Sequence, residues 1–112
     1  MSKRYVPNTG DIIWLHFDLP EANTAQDYKP ALILSPSSYN KKTGLIVCCA
    51  ITPHIKGYPF EVPIGPDQAM AVLADQVKSL AWINTKISHQ GRVNSNELGE
   101  VRAKLQALIL KN

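Results

Sequence analysis

The residues of this sequence that could do chemistry lie around two polar connections between predicted strands. Lys29 closes the first connection, and the second contains Thr52, His54 and Lys56. An ammonium beside a hydroxyl suits a phosphate oxygen, because both groups donate hydrogen bonds to an anion. If the two connections lie at the same end of a barrel, these side chains converge on one anionic ligand.

The first connection runs from Asp18 to Tyr28 and is 11 residues long. Links between neighbouring strands usually have about 2–5 residues, and longer loops without structure of their own are commonly functional. The loop carries three carboxylates, on Asp18, Glu21 and Asp27. We expect it to shape a site with Lys29 and Thr52 at its floor. The alternative is a solvated surface loop beside a lysine whose ammonium reaches water.

Three aromatic residues near the same connections, Phe17, Tyr28 and Tyr58, offer faces on which bases can stack. The net charge is +3 and the isoelectric point is about 9.0. A basic groove dotted with aromatic rings is typical of single-stranded nucleic acid binding. These features alone favour an RNA-binding surface and specify no reaction.

Several classes of site lack their sequence signatures. No glycine-rich nucleotide loop and no Gly-x-Ser-x-Gly motif is present, and nothing else supports Asp18 and Glu21 as a glycosidase pair. The histidines and cysteines lack zinc-ligand spacing, so we predict neither metal nor cofactor. The adjacent Cys48 and Cys49 point to opposite faces of a strand and indicate reduced thiols in a cytosolic protein.

The elements that must position these residues form one predicted domain, residues 1–112, of which 45% are hydrophobic. No signal peptide is expected, and no apolar run is long enough for a membrane span. The run Leu45–Ile51 is the most apolar and predicts a central strand buried on both faces. Other predicted strands are Asp11–Phe17, Ala31–Leu34, Tyr58–Ile64, Ala69–Ala74, Gln76–Trp82 and a short one around Ile87. The strands Ala69–Ala74 and Gln76–Trp82 are expected to be separated or kinked near Asp75.

A turn-rich connection with a short helical turn is expected at Tyr39–Gly44, and one long helix is predicted at Asn94–Leu110. Asn94 and Glu97 have the spacing of a capping box. The apolar residues of this helix fall on one face and are expected to pack against the sheet. Mainly β structure with a C-terminal helix therefore predicts a small, mostly antiparallel barrel or curled sheet.

Several separated blocks of the chain form one recognisable series: Arg4–Pro7, Gly10–Trp14, Pro30–Pro36, Tyr39–Asn40, Lys42–Gly44, Lys56–Val62 and Leu73–Trp82. In this order they resemble the MazF branch of the MazF/PemK toxins. The resemblance implies an SH3-like barrel with a C-terminal helix, working as a homodimer. It implies a sequence-specific, metal-independent endoribonuclease that cuts single-stranded mRNA, and an antitoxin whose flexible acidic tail lies over the RNA groove.

The family pairs an arginine before the second strand with a threonine at the end of the third. The threonine matches Thr52, whereas the arginine position is Lys29, the loop's acidic position is Thr24 and its glycine is Asp27. Lysine keeps the charge but loses the planar fork of arginine, so a slower or differently specific enzyme is expected. Lys29 and His16 are the candidates for proton transfer. The predicted catalytic residues are Lys29 and Thr52, and the predicted RNA-binding residues are Phe17, Thr24, Tyr28, Lys56 and Gln76.

Two alternatives stay open at this point. One is a relative that keeps the fold and dimer but only binds RNA or antitoxin. The other is a gyrase-poisoning toxin on the same barrel, for which a C-terminal helix tip with aromatic residues is expected. The chain ends Leu108-Ile109-Leu110-Lys111-Asn112, without an aromatic residue, which counts against that alternative.

Overall fold

The computed structural model describes residues 5–16 and 28–110, with the backbone alone for His16 and Tyr28. Two predicted RNA-binding residues, Phe17 and Thr24, lie outside the described residues. The described elements are β1 (Asp11–His16), β2 (Tyr28–Ile33), α1 (Ser37–Thr43), β3 (Leu45–Thr52), β4 (Glu61–Ile64), β5 (Met70–Ala81), β6 (Ile87–Arg92) and α2 (Ser95–Ile109).

The described strands form one curled antiparallel sheet in the order β4-β5-β3-β2-β1-β6. The predicted mainly β architecture with a C-terminal helix is confirmed. β3 lies inside the sheet and is buried on both faces, since Cys48 and Cys49 enter two different hydrophobic clusters. Both thiols are free, as the sequence indicated. Two neighbouring side chains of one strand thus anchor two cores.

β5 is one continuous strand of 12 residues, so the prediction of two separate strands is wrong. The alternative within that prediction, a kink near Asp75, is confirmed by a register shift: Cys49 pairs with Val77, but Ile51 pairs with Val72. The residues between Val72 and Val77 therefore bulge. Bulges bend a strand and redirect side chains. Asp75 and Gln76 therefore line the same surface cavity, although neighbouring residues of a regular strand point to opposite faces.

β4 begins at Glu61, three residues later than the predicted Tyr58. Glu61 is only 8% exposed. Its carboxylate accepts hydrogen bonds from the backbone amides of Lys56, Gly57 and Tyr58, at donor–acceptor distances of 3.0–3.2 Å. The segment before the strand therefore folds around a buried anion instead of extending, a demand that hydrophobic alternation does not reveal.

The α2 helix has the predicted capping box: the Asn94 side chain accepts from the Glu97 amide, and Glu97 accepts from the Asn94 amide. Val101 is buried in the core, but Leu108 and Ile109 are 46% and 61% exposed. The prediction that the whole apolar face packs against the sheet is therefore wrong for the last turn. Among the described residues, no helix is long and apolar enough to cross a membrane.

Candidate functional site

The site begins where β3 ends. Thr52 is the last residue of β3, and Pro53 follows it, removing the amide that would continue the ladder. The Thr52 hydroxyl oxygen accepts a hydrogen bond from the His54 amide at 3.0 Å. Because a hydroxyl also carries a proton to donate, Thr52 keeps a donor for an anionic ligand. The hydroxyl thus shapes the turn and remains available to a substrate.

Lys29, on β2, lies at the same end of the sheet as Thr52. β2 and β3 are antiparallel neighbours, and Ala31 pairs with Ala50. Two residues further along each strand, Lys29 reaches the level of Thr52. The strand pairing therefore places the two residues at the same end of the sheet. Among the described residues, none forms a hydrogen bond or ion pair with the exposed Lys29 ammonium.

A cavity of about 520 Å³, here called the lysine cavity, opens beside Lys29. Lys78 of β5 lines it from the other side of β3, and His54 closes one wall. Its floor is apolar and includes Leu15 and Cys48. Two ammonium groups over an apolar floor can hold a phosphate while the ribose or base rests on the aliphatic surface.

A second cavity of about 360 Å³, here called the threonine cavity, lies on the Thr52 side. It brings Thr52 together with Lys56 and Gln76, two of the predicted RNA-binding residues. Lys29 does not line this cavity. The two predicted catalytic residues therefore face adjoining cavities, and His54 lines both of them.

Tyr58 and Asp75 form the far wall of the threonine cavity. The Tyr58 hydroxyl donates a hydrogen bond to Asp75 Oδ2, and this bond is the main reason why the pKa of Tyr58 is raised. The other oxygen, Asp75 Oδ1, is buried and has no hydrogen-bond partner among the described residues. The wall therefore presents an aromatic ring beside a carboxylate whose Oδ2 already accepts from the Tyr58 hydroxyl.

The Cys48 thiol on the floor of the lysine cavity is not poised for nucleophilic attack. Burial raises its pKa to about 11, although the nearby Lys78 ammonium acts in the opposite direction. The thiolate is the nucleophilic form, so a raised pKa keeps this group inert at neutral pH. Cys48 is therefore part of the apolar floor.

Four residues of the site were not among the predicted catalytic or RNA-binding residues. Lys78 and Glu61 fell within predicted strands, Asp75 fell at the break between two of them, and His54 was included only among the side chains expected to converge on an anion. One available signal was alternation: Gln76 and Lys78 are two residues apart on β5 and share a face. No comparable signal shows that Glu61 is buried. Tyr28 is placed on β2 by its backbone only, and no group of three or more metal-binding side chains occurs in the described ranges.

The curled sheet, the terminal helix and the polar groove define a class of small β proteins whose candidate ligand site lies at one end of the sheet. The chain matches the family model of the PemK-like, MazF-like toxin of type II toxin-antitoxin system over residues 8–109. It is 44% identical over 110 residues to the endoribonuclease toxin MazF of Escherichia coli strain K12, covering 97% of this chain and 99% of the relative. The chain belongs to this toxin family.

Solved structures support the same grouping. A MazE-MazF crystal structure from Deinococcus radiodurans superposes with a TM-score of 0.83 at 38% identity, over 95% of this chain and 97% of the other. MazF from the same organism gives 0.81 at 40% identity, covering 95% and 98%. A mycobacterial endoribonuclease in complex with its cognate antitoxin has a TM-score of 0.75 at 22% identity, covering 95% and 97%, and shares the fold.

Proposed function

We propose that this protein is a sequence-specific, metal-independent endoribonuclease toxin that cuts single-stranded mRNA. The proposal is carried by one observation: the lysine and threonine cavities lie next to each other at the end of the sheet where β2 begins and β3 ends. The curated relative at 44% identity is named an endoribonuclease toxin. Family and groove therefore agree on an RNA ligand.

In the proposed reaction the 2′-hydroxyl of the RNA attacks the adjacent phosphorus. The phosphate must be held in line, and the charge that grows on its oxygens must be neutralised. The Lys29 ammonium is the proposed source of that charge, and the Thr52 hydroxyl is the proposed hydrogen-bond donor. Holding the phosphate at the junction of the two cavities leaves its flanking nucleotides one on each side.

The residues around the threonine cavity are proposed to read the RNA. Lys56 meets the phosphate backbone, and Gln76 offers an amide that both donates to and accepts from a base edge. Phe17, Tyr28 and Thr24 complete the proposed RNA-binding set from the loop and its end. Lys29 in place of an arginine keeps the charge without the bidentate fork, so cleavage is proposed to be slower than an arginine would allow.

The proposed protein partners follow the same surface. Exposed lysines at positions 29, 56 and 78 give the groove a positive charge that an acidic antitoxin tail would complement. Solved relatives are MazE-MazF complexes, which supports an antitoxin partner. A homodimer in the cytoplasm is the proposed working form.

The test is cleavage of a long single-stranded RNA by the purified protein in EDTA. Wild type is expected to cut at one short motif, and Thr52→Ala should cut about 100-fold more slowly, since removing one transition-state donor costs about that much. Lys29→Arg should cut faster. Thr43→Ala is the matched control. The Thr43 hydroxyl oxygen likewise accepts a hydrogen bond from the amide of the second following residue, Leu45, but it lies at the opposite end of β3.

Equal cutting by wild type and Thr52→Ala would contradict the proposed site. Absence of cutting by wild type, with cutting by Lys29→Arg, would replace the enzyme by a protein that only binds RNA or antitoxin. Cutting that stops in EDTA would contradict metal independence.

A further inference from the structure

His54 occupies the wall between the two cavities of the groove. Its side chain lines the lysine cavity together with Lys29 and Lys78, and it lines the threonine cavity together with Thr52. Among the described residues, His54 alone lines both cavities. A phosphate bound at the junction would therefore have this imidazole beside it.

The chain around His54 is held in place by short-range contacts. Pro53 fixes its own φ angle and restricts Thr52 to extended conformations. The His54 amide then donates to the Thr52 hydroxyl oxygen at 3.0 Å. This hydrogen bond fixes the backbone of His54 relative to Thr52, the residue proposed to donate to the phosphate.

The imidazole itself is exposed and has no hydrogen bond or ion pair with the part of the chain that the structure describes. The other histidine whose side chain the structure describes differs: His89 packs edge-on against the Tyr5 ring at 5.3 Å and lies 3.7 Å from Asp11. The charged or titratable groups that line the two cavities around His54 are Lys29, Cys48, Lys78, Lys56, Tyr58, Glu61 and Asp75.

We propose that His54 is a catalytic residue that donates a proton to the leaving 5′-oxygen. This inference rests on the proposed ribonuclease function. The 2′-oxygen forms a bond to phosphorus, the bond from phosphorus to the 5′-oxygen breaks, and the imidazolium proton moves to that oxygen. The products are a 2′,3′-cyclic phosphate, a 5′-hydroxyl and a neutral imidazole, while the 2′-hydroxyl proton passes to water.

The donor role follows from what the substrate brings. A phosphodiester anion beside an imidazole favours its protonated form. Imidazole is also the side chain that exchanges a proton most readily near neutral pH. Lys29 and Lys78 supply positive charge to the phosphate, and His54 complements them as the proton donor.

The experiment compares His54→Gln with wild type on two substrates of one sequence. One has the natural 5′-oxygen at the scissile bond, and the other has a 5′-sulfur, whose thiolate leaves without protonation. His54→Gln should cut the natural RNA about 100-fold more slowly, as expected for loss of a general acid. It should cut the sulfur substrate at nearly the wild-type rate. His89→Gln is the matched control and should cut both at wild-type rates.

An equal loss on both substrates would overturn the donor role, because a merely structural defect cannot distinguish oxygen from sulfur. An unchanged rate on the natural RNA would overturn it as well. A sulfur-rescued loss in His16→Gln, and not in His54→Gln, would assign the proton to His16 instead. Failure of the proposed function is a separate result, since wild type would then cut neither substrate.

Discussion

Asp11 and Lys29 lie on neighbouring strands, and their surroundings are opposite. Asp11 is 3% exposed, and its carboxylate accepts from the Tyr5 hydroxyl, from the Asn8 amide at 2.9 Å and from Arg92 at 2.7 Å. The Lys29 ammonium is exposed and contacts no partner among the described residues. Both groups are charged, but only the Asp11 carboxylate is hydrogen-bonded to other parts of the described chain.

The difference separates charges that hold the fold from charges that are available to a ligand. A buried charge is tolerated only when it is paired and hydrogen-bonded, so removing its partners is costly. An exposed ammonium exchanges water for a phosphate oxygen without disturbing the core. The Asp11 network joins the N-terminal turn to β6, whereas the Lys29 and Lys78 ammonium groups in the groove have no hydrogen-bond partner among the described residues.

The largest expected effect is on the Asp11 side of the comparison. Asp11→Ala leaves Arg92 and the Tyr5 hydroxyl without their shared acceptor and should lower the free energy of unfolding by about 3 kcal/mol. Chemical denaturation monitored by tryptophan fluorescence measures it. Arg92→Ala should also lower the free energy of unfolding, because the buried Asp11 carboxylate loses this partner, although Tyr5 and the Asn8 amide still donate to it. Equal stability of Asp11→Ala and wild type would show that the network is dispensable.

A smaller effect is expected on the groove side. Lys78→Ala should lower kcat/KM for RNA about tenfold and reduce the salt slope of binding by about 0.7, as for one lost contact to single-stranded phosphate. Its unfolding midpoint should not change. Lys41→Ala, on α1 at the opposite edge of the sheet, is the matched control. A stability loss without a change in salt slope would place Lys78 among the structural charges.

The smallest expected effect concerns the thiol beneath the groove. Burial raises the pKa of Cys48 to about 11, above its ordinary value of 9.0. The folded state therefore favours the protonated thiol, and this contribution is complete below pH 9 and lost as the pH rises towards 11. The free energy of unfolding should fall by about 1 kcal/mol from this group between pH 8 and pH 10.

Measuring that slope in wild type and in Cys48→Ala isolates the thiol, since other groups titrate equally in both proteins. A slope that does not change in Cys48→Ala would show that the thiol is solvated in solution. The floor of the lysine cavity would then be wetter than its burial indicates.

Much of the fold was accessible from local patterns. The capping box of Asn94 and Glu97 was predicted because its two hydrogen bonds join residues three positions apart. The two-faced burial of β3 follows from an uninterrupted apolar run. The continuity of β5 was missed because a bulge at Asp75 interrupts the alternation without ending the strand. The exposure of Leu108 and Ile109 was missed because periodicity gives a face but not where the sheet beneath it ends.

The sequence by itself determined the family, the strand that ends at Thr52 and the start of the last helix, because each depends on residues close in the chain. Only the tertiary structure decided which charges meet. The pairing of β3 with β5 brings Lys78 opposite Cys48 and thus into the cavity of Lys29. The turn after Thr52 places His54 between two cavities. Contacts of this kind depend on strand register, which spacing along one strand does not fix.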